Sequence, residues 1–204
     1  MRVGIINYGL GNLKSLEMII KNLDYDVEII FSPKNLKNLD KAILPGVGSY
    51  SQAMKLINAN FWNEHINEFA VSKKNYLLGI CLGMQILSSS GEEIKETKGL
   101  DIIKGKVVSL KSLGCNERIP HIGWNSVKNR VDTILLDGIS QNTDFYFVHS
   151  YVFKPDDDSH IVSTTNYGVD FCSVIKKDNI FGTQFHPEKS SFSGRKILQN
   201  FLDA

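Results

Sequence analysis

Cysteine is scarce: three residues in 204, at Cys81, Cys115 and Cys172. An odd, widely spaced set with no C-x-x-C gives neither a disulfide framework nor a zinc ribbon. Proline is limited to five residues, and no Pro/Gly-rich linker, internal repeat or low-complexity tract interrupts the chain. No apolar run approaches the roughly 18 residues of a membrane span. The opening residues, Met1-Arg2-Val3-Gly4-Ile5-Ile6, read as a strand rather than as a signal peptide. Charge of neither sign dominates, because 23 Lys+Arg against 22 Asp+Glu leave a formal charge of +1. Bulk electrostatics therefore give no case for nucleic acid or an anionic membrane. The expectation is a reduced, cytoplasmic chain with no cofactor and no metal.

What is present is ordinary globular composition, with 42% hydrophobic and 22% charged residues. A chain this long buries about 70% of its unfolded surface, enough for one sizeable core. Apolar runs at Val3–Asn7, Asp26–Phe31, Lys41–Leu44 and Tyr76–Ile80 read as strands. Between and after them, helical spacing runs through Leu13, Leu16, Ile19, Ile20 and Leu23, then through 51–57, 62–71 and 84–88. Strands alternating with helices predict an α/β fold, an open and mostly parallel sheet flanked by helices. The second half reads as short strands, at 105–110, 145–153, 160–165, 171–176 and 180–184, closed by a helix over 195–202. These are expected to be extra antiparallel strands within a single domain spanning residues 1–204. Ligands of such sheets sit at the carboxyl ends of strands, where the notable loops of this sequence fall.

One of those loops is Gly79-Ile80-Cys81-Leu82-Gly83, between a strand and a helix. G-x-[nucleophile]-x-G is the pattern of a nucleophile elbow, here with cysteine. The turn is so sharp that side chains two residues either side of the nucleophile would clash, which the glycines avoid. The turn also places Cys81 at a helix start, whose dipole favours a thiolate, and makes the Leu82 amide a natural oxyanion donor. Standing alone, the pattern fits an inert buried cysteine equally well. Cys115 and Cys172 lack such flanks.

A thiol nucleophile needs a base. Of five histidines, His186 stands out in His186-Pro187-Glu188. Extended backbone at His186, favoured by the following proline, puts His186 and Glu188 on one face, so the carboxylate can orient the imidazole. His65 and His160 read as surface residues. Leu44-Pro45-Gly46-Val47-Gly48 follows the third strand, and its glycines free the peptides at Val47 and Gly48 to supply a second oxyanion donor. A β-turn accounts for the same residues. Gly9-Leu10-Gly11 lacks the third glycine of a dinucleotide-binding loop, since Lys14 stands there.

Taken together, the segments N-Y-G-L-G-N (7–12), L-P-G-V-G (44–48), G-I-C-L-G-M-Q (79–85), P-H-I-G-W-N (120–125), Y-F-V-H-S-Y (146–151) and G-T-Q-F-H-P-E-K-S (182–190) resemble the class I, triad-type glutamine amidotransferases. The resemblance covers nearly the whole chain and implies a flavodoxin-like sheet. It implies catalytic Cys81, His186 and Glu188, an oxyanion hole from Val47, Gly48 and Leu82, and binding of L-glutamine by Gln85, His149, Ser150 and Tyr151. The narrower segments P-H-I-G-W-N and V-H-S-Y resemble a branch whose members form a heterodimer with a (βα)8-barrel cyclase subunit in histidine biosynthesis. Asn12, His121, Trp124, Asn125 and Lys189 match positions that face that partner. Residues 86–95 and 191–195 depart from the commonest family pattern, away from the catalytic residues. The alternatives are a paralogue supplying ammonia for surface-sugar biosynthesis, an amidotransferase subunit of pyridoxal phosphate synthesis, a partner-independent γ-glutamyl hydrolase, and an idle scaffold on the same fold.

Overall fold

The computed structural model describes residues 1–204. Its elements in chain order are β1 (Val3–Ile6), α1 (Leu13–Lys21), β2 (Val27–Ile30), β3 (Lys41–Leu44), α2 (Tyr50–Ala59), α3 (Trp62–Asn67), β4 (Tyr76–Ile80) and α4 (Leu82–Gln85). The second half supplies β5 (Ser90–Gly91), β6 (Thr97–Lys98), β7 (Gly105–Ser109), β8 (His121–Asn129), β9 (Thr143–His149), β10 (Tyr151–Pro155), β11 (Ile161–Asn166), β12 (Asp170–Lys177), β13 (Ile180–Thr183) and α5 (Ser191–Asp203).

A nine-stranded sheet runs in the order β2-β1-β3-β4-β13-β12-β11-β8-β9, and a four-stranded sheet in the order β10-β7-β5-β6. From β2 to β13 every pairing is parallel, and from β13 to β9 every pairing is antiparallel. The antiparallel strands are thus half of the main sheet's pairings rather than an appendage to it. The central strands read as unbroken apolar runs because both faces are covered. Ile43, Leu78 and Ile80 pack on the side of α1 and α5, whereas Ala42, Leu44 and Leu77 pack on the side of α2 and α3. Helix α1 buries Leu16, Ile19 and Ile20, the stripe its spacing predicts. Lys41, first residue of β3, is itself buried, and its ammonium donates to the carbonyls of Phe201 and Leu202 at 3.0 and 2.9 Å, closing the end of α5 against the sheet.

Four differences from the sequence reading bear on the site. The helix expected at 84–88 is the single turn α4, after which Ser88, Ser89 and Ser90 lead into β5, as residues that compete for backbone hydrogen bonds do. The strand expected at 145–153 breaks at Ser150, where the chain leaves the large sheet for the small one. The helix expected at 62–71 ends at Asn67 and continues as a wider turn, closed by Lys73 N–H on the Glu68 carbonyl at 2.9 Å. Strand β8 was not anticipated, because exposed Ile122 and Trp124 and the glycine between them hide its alternation. No helix is long and apolar enough to cross a membrane.

Candidate active site

β3, β4 and β13 lie side by side and end on one rim of the sheet. The loops leaving them are Pro45–Ser49, Cys81 with α4, and Gln184–Ser190. Parallel pairing alone therefore brings together three segments far apart in sequence. Val47, Gly48, Cys81, Leu82, Gln85, His149, Ser150, Tyr151, His186 and Lys189 line one cleft of about 420 Å³. Ser150 and Tyr151 reach it because the change of sheet happens there.

Cys81 has φ 53° and ψ −109°, a backbone conformation that few residues other than glycine adopt and that costs about 1–3 kcal/mol. Its own N–H is held by the Thr183 carbonyl at 2.7 Å, so β13 fixes the turn. A Cβ on Gly79 would lie 2.8 Å from the Gly83 carbonyl oxygen and the Met84 Cα, and one on Gly83 would lie 1.7 Å from the Leu44 carbonyl oxygen. The elbow glycines are thus required by backbone, which cannot step aside. Since α4 is one turn long, it adds little dipole, and the basic side chain beside the sulfur is His186.

His186 is buried, and its Nδ1 lies 2.8 Å from Glu188 Oε1. The carboxylate comes from a 3-10 turn, Pro187–Lys189, rather than from continued extended chain as the sequence reading assumed. Pro187 at the first position of that turn sets its φ. Ser190 tightens the turn by donating its hydroxyl to the His186 carbonyl at 2.6 Å. His186 Nε2 has no hydrogen-bond partner, and Cys81 is its neighbour. Burial opposes charge on the imidazole. The Cys81 sulfur nearby and the hydrogen bond to Glu188 outweigh it and raise the His186 pKa well above the ordinary histidine range.

His149 and His121 behave in the opposite way. Burial depresses His149 to about 3, with the neighbouring His121 adding to the effect, and burial depresses His121 to about 4. Both are neutral, and their tautomers follow. The Tyr151 carbonyl can only accept, so His149 Nδ1, 3.0 Å away, carries hydrogen and its Nε2 accepts. His121 Nδ1, at 3.0 Å from that Nε2, is then the donor. Its Nε2 accepts from Asn125 Nδ2 at 3.3 Å, and the same amide nitrogen donates to the Asn166 carbonyl at 2.9 Å. His121 is 2% exposed, which corrects the expectation that it faces a partner: β8 turns it inward, stacked on Tyr167 and Phe147. Trp124 and Ile122 alternate to the outer face and are 52% and 59% exposed. Asn12 and Asn125 are half-buried and outside the cleft lining, and exposed Lys189 places its ammonium 5.8 Å from the Tyr146 ring.

Three further cleft residues escaped the sequence reading, Glu93, Pro120 and Val148. Glu93 accepts from the Tyr50 N–H at 2.6 Å and brings a carboxylate to the cleft wall. It lies in the stretch set aside as off the site, and a lone glutamate in a polar loop carries no local signal.

Comparison with known proteins agrees with this geometry. Residues 5–204 match the family described as Glutamine amidotransferase class-I. The chain is 48% identical over 201 residues to imidazole glycerol phosphate synthase subunit HisH of Methanocaldococcus jannaschii, covering 98% of each. It is 42% identical to HisH of Pelagibacter ubique, covering all of both chains. Among solved structures, PurLQS from Thermotoga maritima superposes with a TM-score of 0.78 at 17% identity, over 99% of this chain and 97% of that one. A glutamine amidotransferase from the same organism superposes with a TM-score of 0.67 at 19% identity, over 100% of this chain and 83% of that one. At such low identity these two bear on the fold alone. The chain belongs to the class I glutamine amidotransferases, in the HisH branch of imidazole glycerol phosphate synthase subunits.

Proposed function

We propose that this chain, acting as one domain in the cytoplasm, hydrolyses L-glutamine to glutamate and delivers the ammonia to a (βα)8-barrel cyclase subunit in a heterodimer. The observation that carries the chemistry is His186, buried with a carboxylate on one nitrogen and the elbow cysteine beside the other. The Cys81 thiol gives its proton to His186 as its sulfur attacks the carboxamide carbon, and the carbonyl π pair moves to oxygen. The Leu82 N–H, with an N–H from Val47 or Gly48, receives that negative oxygen. His186 passes its proton to nitrogen as the C–N bond breaks, and ammonia leaves a thioester. Water, losing a proton to His186, attacks the thioester, and glutamate and the sulfur anion separate.

The remaining lining residues have matching chemistry. Both hydrogens of the Gln85 amide nitrogen are engaged, with the Tyr151 carbonyl at 2.8 Å and Gln184 Oε1 at 3.1 Å, so Gln85 offers the substrate its carbonyl oxygen. His149 holds the Tyr151 backbone in place, while Ser150 and Tyr151 wall the cleft. Glu93 supplies the charge to take up the α-ammonium group. Exposed Trp124, with Asn12 and Lys189, forms the face offered to the partner, and Asn125 and buried His121, on the inner side of β8, support it from behind. Ammonia released into water would be mostly protonated and no longer nucleophilic, which is the chemical reason for a protected delivery path.

The test is glutamate release from glutamine, measured with and without the barrel partner and its ribonucleotide. The expected result is slow turnover alone and stimulation in the complex. Full turnover by the isolated chain would favour a free hydrolase, and none under any condition an idle scaffold. Glu188→Gln is expected to lower turnover about 100-fold or more. Losing the carboxylate removes a charge that raises the His186 pKa, so the alkaline limb of the rate profile moves to lower pH. An unmoved limb would contradict the role given to Glu188.

A further inference from the structure

Gln184 is fully buried, and its Nε2 lies 3.6 Å from the Cys81 sulfur. The orientation of its amide is determined by its neighbours. The Tyr151 carbonyl only accepts, so the Gln85 atom facing it is the amide nitrogen. That nitrogen gives its second hydrogen to Gln184, which must therefore present Oε1 to Gln85 and its NH2 group to the sulfur. Behind them, the Tyr151 carbonyl also holds the His149–His121–Asn125 chain. Gln184 is anchored in turn by its own N–H on the Ser173 carbonyl at 2.9 Å. Turning the Gln184 amide over would set donor against donor at Gln85 and aim a carbonyl oxygen at the sulfur.

We propose that Gln184 is a third group acting on the nucleophile, its amide N–H stabilising the Cys81 sulfur whenever that sulfur is negative. The proposal rests on the assignment of Cys81 as nucleophile. Its physical content is a division of labour. His186 has to carry a proton between sulfur, leaving nitrogen and water, so it is not always the sulfur's donor. The amide of Gln184 neither gains nor loses a proton in this pH range, and it remains in place when the thioester breaks and the anion returns. A neutral donor also does not compete with His186 for the proton. Several other titratable groups lie around the sulfur. They are Tyr8 after β1, whose buried phenol keeps its proton, Glu188 behind His186, Glu93 and Lys189 on the cleft wall, and neutral His149.

The experiment is alkylation of Cys81 by iodoacetamide in the full chain as a function of pH, beside glutamine turnover and thermal unfolding. Cys115 and Cys172 are buried away from the cleft, and Cys81→Ala identifies the fast site. Gln184→Met keeps the volume and removes the donor. At neutral pH its alkylation is expected to fall about tenfold or more, as the loss of a hydrogen bond to a charged group implies, with the midpoint of the pH profile moved up. Gln184→Glu points an ionisable oxygen at the sulfur and is expected to be slower still. Wild-type alkylation in a folded Gln184→Met would overturn the proposal, as would Gln184→Glu reacting faster than Gln184→Met. A check without substitution at 184 is the side-chain amide 15N signal of Gln184. It is expected to titrate with the alkylation midpoint and to lose that titration in Cys81→Ala, and a signal indifferent to both would also overturn the proposal. Absence of glutamine turnover with Gln184-dependent alkylation intact would instead count against the proposed function alone.

Discussion

Replacing Cys81 by alanine is expected to remove glutamine-dependent synthesis by the assembled enzyme, by a factor of at least about 10⁴, while synthesis from ammonium salts continues. The magnitude follows from the mechanism: without sulfur there is no thioester, and what remains is the binding and oxyanion contribution, which in triad enzymes is far below the full effect. The selectivity follows from the geometry. Cys81 contributes nothing to the outer face carrying Trp124 and Ile122, its side chain lies in the cleft, and its backbone is held by the Thr183 carbonyl. Alanine suffers the same strain at φ 53° that cysteine does, so the elbow is kept and the partner docks as before. The measurement is product formation by the complex with each nitrogen source in turn. Equal loss with glutamine and with ammonium would mean that Cys81 supports the assembly rather than the chemistry.

How much of this was legible in the sequence depends on the range of the interaction that decides each feature. β3 and β4 run over the residues expected of them, Lys41–Leu44 and Tyr76–Ile80, because a strand covered on both faces is apolar throughout and its neighbours are turn formers. The elbow was legible because it is a local steric problem with a local glycine solution. The contact of His186 with Glu188 was foreseen with His186 extended, as it is, but with the chain beyond it extended as well, where Pro187 instead opens a 3-10 turn. What sequence could not yield was set by pairing across the sheet. His121 turns inward because β8 pairs with β9, with His121 opposite His149 in the register, and nothing in P-H-I-G-W-N states which face of the strand will be covered. The break at Ser150 depends on where β7 lies to receive β10. Gln184 read only as the end of a strand, and its role needs the Gln85 and Tyr151 atoms that orient it, which arrive from two other elements.

Gly83→Ala is expected to lower stability by about 3 kcal/mol or more, a larger loss than ordinary overpacking produces. For a chain of this size that is a fall in melting temperature of roughly 6–12 °C. The added methyl would sit 1.7 Å from the Leu44 carbonyl oxygen and 2.8 Å from its carbon. Neither side of that contact can yield cheaply. Leu44 ends β3, which is paired with β1 on one side and β4 on the other, so moving its carbonyl disturbs the centre of the sheet. Gly83 is fixed from below, because its carbonyl carbon and oxygen would already meet any Cβ placed on Gly79 at 2.8 Å. Gly114 supplies the contrast: it has φ 92° and nothing within 4 Å of an added Cβ, so Gly114→Ala bears only the backbone cost of about 1 kcal/mol. Thermal unfolding of the two variants beside the wild type separates the effects. If Gly83→Ala melts no lower than Gly114→Ala, β3 and the elbow are not packed as tightly as described. The same displacement would carry the loop after β3, with Val47 and Gly48, away from the sulfur, so the surviving folded Gly83→Ala protein should lose glutamine turnover beyond what its stability explains.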